Sequence, residues 1–183
     1  MRNLKTLALA ASLSMIAPAE VLVNESVKTN PLTGVKLVTV LMTVKGDKPY
    51  SADHSGAPAE LSVMCQQMSL GNHRKSVVAL TLGTGVVVES GVPAPDSTLE
   101  SLGIVVTLVR FDEETQTRQV PWRQTTEYPG LLIQEDFKLI RDHVLKAKLV
   151  HIEVKGFGVG PNVSSFDLSG IKDEFSKHQE CKQ

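Results

Sequence analysis

The chain has 183 residues, with 19 basic and 20 acidic side chains, five histidines, two cysteines and a formal net charge of −1. That near-balance, with no cluster of lysine or arginine, argues against nucleic acid or an anionic membrane surface as a partner. Aromatic residues make up only 4% of the chain, so Val, Leu and Ile must build the core of what is, by length, a single domain.

Residues 1–19 have the three-part form of an export signal peptide. Arg2 and Lys5 give a charged start. Leu7, Ala8, Leu9, Leu13 and Ile16 carry an apolar stretch, and Ala17-Pro18-Ala19 forms a small-x-small cleavage site ahead of Glu20. The stretch is shorter than the about 20 residues that a membrane helix needs, and no later segment is apolar enough to span. Losing Arg2 and Lys5 takes the net charge from −1 to −3. The expected location is periplasmic or secreted.

Residues 20–34 show no period and read as a flexible lead-in to one domain over 35–183. Residues 35–44 are a β-branched run closed by Gly46-Asp47 and read as a strand, because two heavy atoms on Cβ suit a pleated surface. Residues 45–59 are rich in Gly, Pro, Ser and Asp and read as loop. A short strand is expected over 60–65 and a turn at Gly71-Asn72. Strands over 76–82 and 86–88 flank Gly83-Thr84-Gly85 and read as a hairpin. Residues 91–101 hold Pro93 and Pro95 and read as a second loop.

Residues 103–112 form the strongest strand, apolar enough to suggest cover on both faces. The returning strand, 118–126, contains Pro121 and is expected at an edge or a bulge, since proline removes a ladder donor. Over 134–146, Phe137, Ile140, Val144 and Leu145 fall on one helical face. Residues 149–154 alternate and read as a strand, 156–161 read as a turn, and 163–168 as the last strand. Ser169 reads as the cap of a short helix with Ile171 and Phe175 on its apolar side. The fold class that follows is mainly β, an antiparallel β-sandwich with two helices late in the chain.

Two cysteines in an exported chain are expected to pair, Cys65 with Cys181, because the compartment is oxidising; the alternative is two buried thiols. His54, His73, His143, His151 and His178 have no metal-ligand spacing, so neither a metal nor a cofactor is expected. Gly156-x-Gly-x-Gly160 precedes Pro161 and a strand rather than a helix, so it reads as a turn and not as a phosphate loop. Glu113-Glu114 and Asp173-Glu174 read as solvated pairs. Arg110, Asp112, Trp122 and Arg123 lie on two strands expected to pair. Trp and Arg are enriched at binding hot spots, which makes these four a candidate binding patch. The competing reading is a core Trp122 beside an Arg110–Asp112 ion pair.

The order of motifs carries a resemblance. A strand ends in Cys65, another in Arg110-Phe111-Asp112, and a third holds Trp122. A helix and the strand 149–154 follow, then Phe166-Asp167-Leu168-Ser169-Gly170 and Cys181. Over residues 60–181 this resembles small periplasmic β-sandwich proteins of the type VI secretion-associated and invasion-associated locus B kind. It departs in front, where no tryptophan follows the leader. The resemblance implies a non-enzymatic accessory protein that binds another protein or an envelope component. Two other classes stand beside it. One is an inhibitor of a hydrolase such as lysozyme, entering a cleft with loops 45–59 and 91–101. The other is a hydrolase whose site, drawn from Asp47, Asp53, His54 and His73, converges only in three dimensions.

Overall fold

The computed structural model describes residues 20–51, 57–86, 88–89, 103–112, 114–125, 130–156 and 160–182. Among the described residues ten strands make one antiparallel sheet: β1 (Leu22–Thr29), β2 (Lys36–Lys45), β3 (Glu60–Leu70), β4 (His73–Gly83), β5 (Val88–Glu89), β6 (Ile104–Phe111), β7 (Arg118–Gln124), β8 (Leu131–Gln134), β9 (Leu149–Gly156) and β10 (Pro161–Asp167). Two short helices come late: α1 (Phe137–Leu139), which runs on into a π-turn over Ile140–Val144, and α2 (Ile171–Lys177), followed by a 3-10 turn over Gln179–Cys181. The order across the sheet is β1-β2-β3-β4-β8-β7-β6-β9-β10, with β5 on β9. The fold is therefore mainly antiparallel β with late helices, as the strand pattern predicts.

The sheet curls until its second strand meets its last. Gly46, one residue past β2, bridges Phe166 on β10, and the Asp47 N–H donates to the Ser165 carbonyl at 2.9 Å. Glycine is required at this seam by close approach. A Cβ on Gly46 would lie 2.2 Å from Ser164 Oγ and 3.0 Å from the Phe166 ring. Curling turns one face of every central strand inward. Period-2 alternation then gives one core: Val40, Met42 and Val44 from β2, Val150, Ile152 and Val154 from β9, and matching residues of β3, β4, β6 and β10. Ile140, Val144, Ile171 and Cys181 bring the helical segments onto the same cluster.

Several expectations change. Residues 20–34, expected as a flexible lead-in, carry β1, which pairs with β2 through eight consecutive positions. Its side chains are all exposed, so nothing periodic is written into them; the main-chain ladder holds the strand, helped by one side-chain contact, Glu25 to His178. The hairpin expected at 83–85 does not form. β4 turns toward β8, and β5 pairs with β9. Thr84 Oγ1 lies 2.7 Å from the Val86 carbonyl and 2.9 Å from the Gly130 carbonyl, sharing its one proton between them, and the Thr84 N–H donates to the Gly130 carbonyl at 2.8 Å, which steers the chain away. β6 is buried on alternate residues only, so one face is covered and not both. The short β8 lies where the sequence pattern showed no strand. Ser169 does not cap α2, whose N-cap is Gly170 with no side-chain bond; the Ser169 N–H instead donates to Asp167 at 2.9 Å. The loop 91–101 and residues 52–56 of loop 45–59 lie outside the described residues, as does the segment 1–19 expected to be an export signal.

Pro121 sits inside a strand because that strand is only partly paired. β6 flanks β7 along most of its length, whereas β8 reaches only Arg123 and Gln124. On the open side, the Gln134 side-chain amide donates to the Pro121 carbonyl. The next residue, Trp122, points the other way. It is 1% exposed, and its indole N–H donates to Thr107 Oγ1 at 2.8 Å. Burying an aromatic with its one polar atom satisfied leaves no desolvation cost outstanding.

Cys65 and Cys181 are joined, with Cα atoms 5.0 Å apart and 116 residues between them in sequence. Closing so long a loop in the unfolded chain stabilises the fold by about 4–5 kcal/mol in the chain-entropy picture. At roughly 2–4 °C per kcal/mol, reduction or a Cys65→Ala, Cys181→Ala double variant should lower Tm by well over about ten degrees in a thermal scan. Trp122→Ala should cost about 3–5 kcal/mol, read from a denaturant midpoint, because it empties the largest side-chain position of the core.

Candidate functional site

The four residues of the expected binding patch do not form one surface. Trp122 belongs to the core, so it contributes nothing to a binding face. Arg123 points outward and pairs with Glu135 at 2.9 Å. It stands opposite Ile104, six residues along β6 from Arg110, or roughly 20 Å at 3.3 Å per residue. The Asp112 carboxylate accepts from the Lys148 N–H at 3.2 Å, which fastens the end of β6 to the start of β9. That leaves Arg110, exposed on the outer face.

Arg110 is one member of a rung. The register sets Arg110 opposite His151, and His151 opposite Ser165. The rung beside it reads Leu108, Glu153, Val163. Alternation along each strand puts all six on the outer face, because their neighbours Val109, Ile152 and Ser164 are turned inward and buried. Leu108, Arg110, His151, Glu153 and Val163, with Thr117 from the turn before β7, line a concavity of about 250 Å³. His151 Nδ1 lies 2.9 Å from Ser165 Oγ, which fixes the imidazole plane. Among the described residues, Arg110 and Glu153 have no hydrogen-bond or ion-pair partner.

Ser165 is held in turn by the seam. Its N–H donates to Asp47 Oδ1 at 2.8 Å, and the Ser164 hydroxyl donates to the same oxygen at 3.2 Å. Burial pushes the Asp47 carboxyl up, but the Ser165 N–H, the Ser164 hydroxyl and the nearby Lys48 charge together hold it below its usual range. Tyr50, from the same loop, is buried and donates to the Ile152 carbonyl at 3.0 Å. Burial, and secondarily the Asp47 charge, drive its phenol well above the ordinary value. The loop that looked structureless by composition is thus bonded to β9 and β10 through Gly46, Asp47, Lys48 and Tyr50.

Elsewhere the charged groups serve structure. Glu114, expected as solvated, accepts from Arg118 Nε at 2.9 and 2.8 Å and lies 3.0 Å from His143 Nδ1. The Arg118 hydrogen bond, with lesser help from His143, holds its carboxyl below the usual range against partial desolvation. His143 stacks on Phe111 with centroids 5.4 Å apart. Glu174 pairs with Lys177 at 2.6 Å, and His178 reaches Glu25 of β1 at 3.2 Å. Among the described residues no group of three metal-ligating side chains converges, and no helix is long and apolar enough to cross a membrane. Of the residues named for a hidden hydrolytic site, Asp47 lies at the seam, His73 starts β4 in solvent, and Asp53 and His54 lie outside the described residues.

No family model, curated protein or solved structure matches the chain.

Because the Asp47 carboxyl is depressed in the folded protein, its contribution is present above the unfolded carboxylate pKa of about 3.9 and is lost as pH falls through the folded value. Melting curves taken between neutrality and strong acid should show a loss below about pH 4 that Asp47→Asn, which has no carboxylate to titrate, reduces.

Proposed function

We propose that this is an exported, non-enzymatic accessory protein of the periplasm or cell exterior, and that it binds another protein by taking an extended segment of it onto the edge of β1. The carrying observation is β1 itself. It ends the sheet, all eight of its residues are exposed, and about half of its backbone groups point away from β2 by the alternation of an antiparallel ladder. Natural sheets blunt such edges with charge, proline or brevity; β1 has no proline and its charges are Glu25 and Lys28 alone. An unblunted edge is the usual acceptor for strand addition.

The surface beside this edge suits an apolar partner. On the outer face next to β1, Leu37 stands opposite Met68 and Leu41 opposite Met64, with Leu70 and Val77 exposed beyond them. Methionine repacks readily around different partners. A shallow depression of about 380 Å³ at the β1–β2 turn is lined by Val35, Leu37 and Met68 among others. The fitting segment is an extended one with apolar side chains at alternate positions, which meet this face while its main chain continues the ladder.

The resemblance to secretion-associated and invasion-associated periplasmic proteins supports the same class. Ser165 fits that class on one count: its N–H is given to Asp47 in mid-strand, so it is not free to stabilise an oxyanion beside the hydroxyl, as acyl transfer would need.

A photo-crosslinking residue at Ser26 on β1 should give a discrete protein adduct in cells that produce the protein; the same residue at Thr115, across the molecule, should not. Val27→Lys should remove the adduct while changing stability by no more than about 0.5 kcal/mol, since the side chain is 59% exposed. Equal labelling from both sites, or an adduct indifferent to Val27→Lys, would refute strand addition at β1.

A further inference from the structure

The cavity on the outer face of β6, β9 and β10 has a charge arrangement that strand addition at β1 does not use. Arg110 and Glu153 sit on neighbouring rungs, one residue pair apart diagonally, and open onto the same concavity of about 250 Å³. Opposite charges placed so close usually meet. These two have no ion-pair or hydrogen-bond partner among the described residues, so a guanidinium and a carboxylate face one pocket without neutralising each other.

We propose that this cavity binds a small zwitterion, a free α-amino acid, inserted between the two charges. Arg110 takes the ligand carboxylate, for which a planar guanidinium offers two parallel N–H donors at about 2.8 Å. Glu153 takes the ligand ammonium. Simple anions are disfavoured by Glu153 and simple cations by Arg110, so the pair selects a ligand carrying both charges. Leu108 and Val163 border the cavity and receive a small apolar side chain. The Thr117 hydroxyl and the second ring nitrogen of His151 supply further polar contacts. His151 is pre-set, since Ser165 holds Nδ1 at 2.9 Å and Asp47 holds Ser165. The volume lies just below the usual span of about 300–1,000 Å³ for drug-sized ligands, which suits an amino acid.

The test is a ¹H–¹⁵N NMR titration of the intact protein with L-alanine, N-acetyl-L-alanine and L-alanine amide. Free alanine should shift the Arg110, His151 and Glu153 amide signals saturably. Each blocked form should bind about tenfold more weakly or less, the loss of roughly one charged contact. Arg110→Lys and Glu153→Gln should each weaken alanine binding by about tenfold with the melting temperature unchanged, since both residues face solvent. No saturable shift with free alanine in the tens of millimolar overturns the proposal. So does acetylalanine or the amide binding as well as alanine, which would leave an anion or a cation site only, and so does a saturable shift that maps elsewhere. The β1 crosslink is independent of every one of these outcomes.

Discussion

The closure of β2 onto β10 is the constraint from which the rest of the structure follows. A curled antiparallel sheet has two open ends unless something joins them. Here the join is short, Gly46 against Phe166 and Asp47 against Ser165, between residues more than a hundred positions apart. It works because Gly46 has no side chain to keep the strands apart and because the Asp47 carboxylate takes a main-chain and a side-chain hydrogen bond at one oxygen. Once the join is made, every central strand has an inside and an outside, and Val-rich alternation becomes a core. The disulfide supports the same closure from the far end of the chain, holding the last turn against Cys65 on β3.

The parts of this fold that sequence pattern reveals are those whose side chains carry a burial period. Residues 149–154 alternate, and the β-branched or apolar runs 35–44, 103–112 and 163–168 mark β2, β6 and β10, so their positions follow from the residues. The cysteine pairing follows from there being two cysteines behind a segment that reads as an export signal. What pattern misses is held by main chain or by single long-range bonds. β1 has every side chain in solvent, and β8 is four residues long. β4 parts from the predicted hairpin through one threonine hydroxyl acting on a carbonyl 46 residues away. Pairings of this kind leave no local signature, because the partner that decides them is far off in the chain.

The site divides the same way. Arg110 was legible as a candidate because arginine is enriched at binding hot spots and it lies on a strand expected to pair with the Trp122 strand. Its companions were not, since His151, Glu153 and Ser165 come together only through the registers of β6 with β9 and of β9 with β10. Trp122 misleads from sequence because proline beside it suggests an exposed edge. The strand is indeed open on one side there, yet alternation sends the indole inward to Thr107. Whether a strand has a free edge concerns hydrogen bonding within the sheet, whereas whether a side chain is buried concerns the faces. The two are perpendicular, and neither implies the other.

The two surfaces differ in mechanical character for reasons already in the topology. β1 is joined to the body by one ladder and by the contact of exposed Glu25 with half-buried His178. Few apolar contacts and many solvent-exposed main-chain hydrogen bonds mark the low end of local stability. An edge of that kind can shift to accommodate an incoming strand without disturbing the core. The outer cavity stands on β6, β9 and β10, the strands most cross-tied by the seam, by Tyr50 and by Asp112. Its Arg110 and Glu153 are carried on paired backbone with buried neighbours on either side. A site that selects a small dipolar ligand needs such fixed spacing, because an error of one ångström removes one of its two charged contacts. The adaptable surface and the rigid one therefore lie on opposite ends of the strand order, and the same closure that stiffens the one leaves the other outside it.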